Sequence, residues 1–181
     1  VNAKNRFFSG RITYLEWAEH DISLWMEKNA KKKDFFKAIG HLKLMEAAME
    51  TIAELKRNGI KLAIISGSLN VILEKFIPNY KEFFDDVFLS RIYFDENGSI
   101  SKVEATEFDM DGKALALRKI AEREKISLEE CVFVGDYLND KKIIQEAGLG
   151  IAFNCRNDEL RKAADVCIDK KDLREILKHV L

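Results

Sequence analysis

Two polar stretches of this chain follow short apolar runs, and their residue types suit phosphate chemistry. The first is Ser66-Gly67-Ser68, at the end of Leu62-Ala63-Ile64-Ile65. A hydroxyl, a glycine that lets a ligand approach the backbone, and a second hydroxyl able to cap a following helix would suit an oxyanion, because free amides at a helix start attract one. A plain strand-to-helix turn uses the same residue types, so this stretch alone leaves both readings open. The second is Gly135-Asp136-Tyr137-Leu138-Asn139-Asp140, directly after Cys131-Val132-Phe133-Val134. Carboxylates at Asp136 and Asp140, at a strand exit and the first turn of a helix, would form a hard-cation site. Magnesium takes one or two protein carboxylates and completes its shell with water and substrate oxygens. The other reading makes Asp140 a helix-start charge and Asp136 a turn residue. The string as a whole, placed behind a buried strand, favours the metal.

A third stretch, Phe108-Asp109-Met110-Asp111-Gly112-Lys113, offers Asp109 as a candidate nucleophile. Such a carboxylate belongs at the carboxyl end of a buried strand. What precedes it is Lys102-Val103-Glu104-Ala105-Thr106-Glu107, an alternating, half-polar run that reads as an exposed hairpin strand. Asp111 reads as the N-cap of the next helix. That leaves Lys113 in the first helical turn, placing a cation where a phosphate could sit. On this reading the aspartate pair is a decoy and the lysine is the functional residue.

The elements that must position these groups alternate from residue 60 onward. Helical spacing of apolar residues covers Tyr14 to Met26, Lys31 to Ile39 and Met45 to Lys56, the last stopped by Asn58-Gly59. Continuous apolar runs at Leu62–Ile65, Val87–Leu89, Cys131–Val134, Gly150–Phe153 and Val166–Ile168 read as strands, the first and third as strands buried on both faces. Asn97-Gly98 signals a hairpin between Ile92 and Ala105. Ser127-Leu128-Glu129-Glu130 is a capping-box pattern. Strands alternating with helices predict an α/β fold with a parallel sheet, an open Rossmann-like core whose ligands bind at the strands' carboxyl ends.

Bulk properties narrow the function classes. The 181 residues are 47% hydrophobic and 34% charged, ordinary for a globular chain with one core. A net charge of -1 gives no global field for nucleic acid or an anionic membrane. Cys131, Cys155 and Cys167 show no metal-type spacing, and an odd count points to reduced thiols and a cytoplasmic setting.

Taken in order, Ser66, Lys113 and Asp136/Asp140 resemble the second, third and fourth motifs of the haloacid dehalogenase superfamily, and the chain looks most like its phosphoserine-phosphatase-type branch. The stretch "FSGRITYLEWAEHDISLW" resembles the small helical cap of that branch. The resemblance implies a cap over residues 1–46 and an α/β core over residues 47–181. It implies a magnesium-dependent phosphomonoesterase acting on small phosphorylated metabolites. Ser66 and the Gly67 amide would hold the transferring phosphoryl group and Lys113 would neutralise it. Asp136 would bind Mg2+, with Asp140 as ligand or supporting partner, and Asn139 would reach the phosphate or the metal. A small phosphorylated substrate is the expected partner, with neither nucleic acid nor membrane, and a homodimer is left open.

The family's first motif, an apolar strand ending in Asp-x-Asp, has no counterpart here. The chain opens at "VNAKNRFFSG", already inside the cap, and Val1 fits a cut or a misplaced start with a missing upstream segment. The absent strand would lie between those ending at Ser66 and Asp136, leaving them roughly 10 Å apart with unpaired edges. The competing expectation is a catalytically inactive relative that binds a phosphorylated ligand or a protein. A permuted enzyme with Asp109 as nucleophile is set aside, since no buried strand precedes it. The cap region "KKKDFFKAIGHLKLM" also lacks the arginine with which phosphoserine phosphatases grip the substrate carboxylate; Lys37 or Lys43 could stand there only as point charges.

Overall fold

A computed structural model describes residues 2–181, and Val1 lies outside them. The chain divides into two compact units: residues 1–43, 66–80 and 88–107 form the first, and residues 44–65, 81–87 and 108–181 the second.

The first unit opens with three helices, α1 (Ala3–Phe8), α2 (Tyr14–Glu27) and α3 (Lys32–Ala38). Helix α2 begins where the sequence supplies both halves of a capping box: Thr13 N donates to the Glu16 carboxylate at 2.7 Å, and Glu16 N donates back to Thr13 Oγ1 at 3.2 Å. Phe7, Phe8, Tyr14 and Trp17 pack ring against ring where α1 meets α2. Trp25 and Phe94 each meet Phe35 edge-on, at 5.5 and 5.6 Å. Later in the chain, β1 (Ala63–Leu69), α5 (Asn70–Phe76), β2 (Asp86–Phe94) and β3 (Ile100–Glu104) contribute to this unit. The hairpin expected at Asn97-Gly98 is present: β2 and β3 pair antiparallel from Arg91↔Glu104 to Phe94↔Ile100. Its loop is longer than a two-residue turn, with Gly98 at φ +73° and the Asp95 carboxylate accepting from the amides of Asn97 and Ser99. The buried Asn70 side chain bonds both the N–H and the carbonyl of Ile92, at 2.8 and 3.3 Å.

The second unit holds α4 (Ala48–Arg57), α6 (Gly112–Glu124), β4 (Val132–Gly135), α7 (Lys141–Glu146), β5 (Leu149–Phe153), α8 (Asp158–Ala163), β6 (Val166–Ile168) and α9 (Leu177–Val180). Strands β4, β5 and β6 pair parallel in that order, with Phe133 opposite Gly150 and Ala152 opposite Cys167. The α/β class with parallel strands read from the sequence is therefore what forms. Two apolar clusters flank this sheet. One gathers Leu55 of α4, Ile151 and Phe153 of β5, Ile168 of β6 and Ile176. The other gathers Ala114, Leu117 and Ala121 of α6 with Cys131, Ile143 and Ala147.

Two expectations need correction. The strands β1 and β4 are not buried on both faces: Ala63 and Val132 are exposed and most of their neighbours are half-buried, whereas β5 is buried along nearly its whole length. The sheet order supplies the reason. Strands run β1-β2-β3 in one sheet and β4-β5-β6 in another, so β1 and β4 each end a sheet and no pairing joins them among the described residues. Yet Ile65 of β1 and Phe133 of β4 pack against the same α6 cluster. Strands β1 and β4 thus each keep one unshared edge among the described residues. The second correction concerns β1, which runs on through Ser66, Gly67 and Ser68 to Leu69. These residues are strand and not a strand-to-helix turn, and α5 starts after them without a side-chain cap.

The stability of the second unit depends on its middle strand. Ile151 is fully buried in β5, and Ile151→Ala should cost about 2–5 kcal/mol in a urea titration.

Candidate active site

Strand β4 ends at Gly135, and the chain then turns sharply into α7. The turn is organised by one carboxylate. Asp140 is 3% exposed, and its Oδ2 accepts from the amides of Asp136 at 3.0 Å and Tyr137 at 3.2 Å. Its Oδ1 accepts from Lys113 Nζ at 2.6 Å. Lys113 is itself 6% exposed, in the first turn of α6. Each of these charges is removed from water, and each has the other as its counter-ion. Gly135 makes the approach possible, because a Cβ there would fall 2.6 Å from Cβ, Cγ and Oδ2 of Asp140.

With Asp140 facing inward, Asp136 faces outward. Asp136 is exposed, and its carboxylate takes no partner among the described residues. The acidic residues first read as a metal pair therefore divide their work. Asp136 keeps an open carboxylate, while both Asp140 oxygens are already spent on Lys113 and the loop. One free carboxylate at a strand end fits magnesium, which completes its shell with water and ligand oxygens. Among the described residues no group of three or more acidic, histidine or cysteine side chains could hold a metal alone.

Asn139 sits on the same turn and donates from Nδ2 to Asp109 Oδ1 at 2.8 Å. The same Asp109 oxygen lies 3.6 Å from Lys113 Nζ. Asp109 is thus part of the cluster, although the sequence reading set it aside. The strand before it, β3, is an antiparallel, largely exposed hairpin strand that ends at Glu104. The turn that follows sets the carboxylate. Met110 adopts φ +50°, and the Gly112 amide donates to the Asp109 carbonyl at 2.9 Å, which swings the carboxylate back towards Lys113. The available signal was the spacing of Asp109 and Lys113, four residues apart across a helix start. Asp111 occupies the N-cap position of α6 but makes no capping bond. Its carboxylate is 86% exposed and lies 3.7 Å from Lys142. Of the residues singled out from the sequence, Lys113, Asn139, Asp140 and Asp136 are brought together in the second unit. Ser66 and Gly67 lie within β1 and belong to the first unit, where Ser66 Oγ accepts from the Ser68 amide at 3.2 Å.

The arrangement offers an ammonium group, a primary amide and an open carboxylate at the carboxyl end of a parallel strand. A family model for haloacid dehalogenase-like hydrolases matches residues 2–148. The chain is 36% identical over 171 residues to a phosphoserine phosphatase of Methanocaldococcus jannaschii, spanning 94% of this chain and 79% of that one. A solved phosphoserine phosphatase carrying a phospho-aspartyl intermediate analogue superposes with a TM-score of 0.75 at 34% identity, covering 99% of this chain and 83% of the other. A 3-deoxy-D-manno-octulosonate 8-phosphate phosphatase from Moraxella catarrhalis, solved with magnesium and phosphate ions, superposes with a TM-score of 0.55 at 25% identity over 73% of this chain and 66% of the other. No helix among the described residues is long and apolar enough to cross a membrane.

The ion pair and the glycine beneath it can be tested by stability alone. Lys113→Met strands a buried carboxylate and should cost about 3–5 kcal/mol in chemical denaturation. Gly135→Ala should also destabilise, by driving a methyl group into Asp140. If Lys113→Met unfolds at the wild-type denaturant concentration, Asp140 has another counter-ion and the site is wrongly described.

Proposed function

The chain belongs to the haloacid dehalogenase-like hydrolase family and is a phosphatase of its phosphoserine-phosphatase-like branch, and from that premise we propose a magnesium-dependent hydrolase of small phosphomonoesters with Lys113, Asp136, Asn139, Ser66 and Gly67 as its phosphate and metal machinery. The observation that carries the proposal is the division of labour at the end of β4: Asp140 is consumed in holding Lys113, while Asp136 stays open to ligands. Lys113 gives a fixed positive charge in a partly water-excluded setting, where it stabilises negative charge better than in water. Because Asp140 holds it from behind, the ammonium need not be reorganised when a phosphoryl group arrives. Asn139 would add a neutral donor, and Ser66 with the Gly67 amide, within β1, would add hydroxyl and backbone donors. Asp136 would hold the magnesium ion. When bound, that ion supplies charge neutralisation for the phosphate oxygens. Residues 1–46 are assigned to a cap that selects the substrate, and residues 47–181 to the core that handles the phosphate. Phosphoserine is the first substrate to test, because the relatives matched over most of the chain are phosphoserine phosphatases. A cytoplasmic setting is consistent with the free thiols of Cys131, Cys155 and Cys167.

One observation favours a second reading. None of the carboxylates in the cluster is placed as a free nucleophile: Asp109 is bonded to Asn139, Asp140 is locked to Lys113, and Asp136 is the metal candidate. A covalent route needs a further aspartate, carried in this family reading by a strand at the open edge of β4. A protein without one would bind a phosphorylated ligand without turning it over.

The test is release of inorganic phosphate from phosphoserine with and without magnesium, beside the thermal shift produced by magnesium alone. Asp136→Asn should fold as the wild type does, because that carboxylate holds nothing in the protein. It should also lose both the magnesium-dependent hydrolysis and the magnesium-induced rise in melting temperature. Hydrolysis that persists in Asp136→Asn, or that needs no magnesium, would sink the assignment. Ligand binding without turnover selects the second reading.

A further inference from the structure

The two side-chain donors assigned to phosphate in the second unit are both turned towards one atom of the chain itself. Asn139 Nδ2 donates to Asp109 Oδ1 at 2.8 Å, and Lys113 Nζ stands 3.6 Å from the same oxygen. The Asp109 side chain is 13% exposed, so it has given up most of its water to reach them. Charge balance does not require it there, since Lys113 is already paired with Asp140 at 2.6 Å. A second carboxylate leaves one cation facing two anions, with the open carboxylate of Asp136 on the same turn as Asn139. Asp109 is no fold-supporting cap either, because α6 begins after it and the α6 N-cap position is Asp111. Its place depends on a loop kinked by a positive φ at Met110, a conformation that costs a residue with a side chain some energy. A carboxylate oxygen that takes a hydrogen bond from an amide and an ion-pair contact from an ammonium is making the contacts a phosphoryl oxygen would make.

We propose that Asp109 is an internal occupant of the phosphate site, and that a phosphorylated ligand binds by displacing its carboxylate from Asn139 and Lys113. The inference rests on the assignment of those two residues to phosphate and goes beyond it, because it makes affinity a competition within the chain. Displacement leaves the rest of the site in place: Lys113 stays held by Asp140, and Asn139 stays on the turn that Asp140 organises. The apparent affinity for phosphate is then the intrinsic affinity reduced by the fraction of time the site stands open. A dianion cannot share the site with Asp109, since like charges at this distance repel strongly where water is partly excluded.

Titration calorimetry of the full chain with inorganic phosphate in magnesium buffer tests this. Three proteins are needed: the wild type, Asp109→Asn, which keeps the shape and an acceptor but removes the charge, and Asp109→Ala, which removes both. Competition predicts tighter phosphate binding in both variants, by about ten-fold if the site is open one time in ten. The side-chain amide signals of Asn139, followed by NMR, should move when phosphate is added to any of the three. If phosphate moves those signals but neither variant binds more tightly, Asp109 is a support for the donors and the proposal is overturned while the phosphate site stands. If phosphate leaves the Asn139 signals unmoved in all three proteins, the site assignment and the proposal fall together.

Discussion

The buried pair of Lys113 and Asp140 is the constraint on which the rest of the site depends. Neither charge can stay dry alone, so whatever places one must place the other. Asp140 satisfies its second oxygen with the amides of Asp136 and Tyr137, which ties the first turn of α6 to the loop after β4. Gly135 has no side chain because that carboxylate fills the space a Cβ would take. The open orientation of Asp136 and the position of Asn139 follow from the same geometry. The pair therefore works as a fixed post about which Asp136 and Asn139 are arranged.

The second organising feature is the division of the strands into two sheets. Strand β5, in the middle of its sheet, is paired on both edges and buried along nearly its whole length. Strands β1 and β4 each keep an unshared edge among the described residues, and both are only half-buried. Their apolar residues Ile65 and Phe133 nevertheless pack against one cluster, built from Ala114, Leu117 and Ala121 of α6 with Cys131, Ile143 and Ala147. That cluster gives the two strands a common apolar contact without giving their backbones a hydrogen-bonding partner.

Reading along the sequence served best where the signal was local. The helix after Thr13, the hairpin at Asn97-Gly98 and the turn at Ser127, whose amide donates to the Glu130 carboxylate, each depend on residues within a few positions of one another. Reading failed where a local motif had a competitor. Ser66-Gly67-Ser68 has the composition of a turn, yet it continues β1. Asp111 has the type and position of a helix cap, yet its carboxylate points to solvent near Lys142. The strand before Asp109 says nothing of its place, which is set by the positive φ of the residue after it.

The sequence by itself determined the residue types and their order along the chain: a serine and glycine behind one apolar run, a lysine at a helix start, and an Asp-x-x-Asn-Asp string behind another run. That order was enough for the family and for the α/β class, because short buried strands and helix starts are written in neighbouring residues. Only the tertiary structure decided which acid faces inward. Asp136 and Asp140 are equivalent carboxylates on paper, and nothing between them says which will meet Lys113, 27 residues upstream of Asp140. Packing of α6 against α7, the helix after the turn, brings the lysine to Asp140, and the glycine leaves room for one carboxylate there. Burial then commits Asp140 to the lysine and leaves the Asp136 carboxylate open.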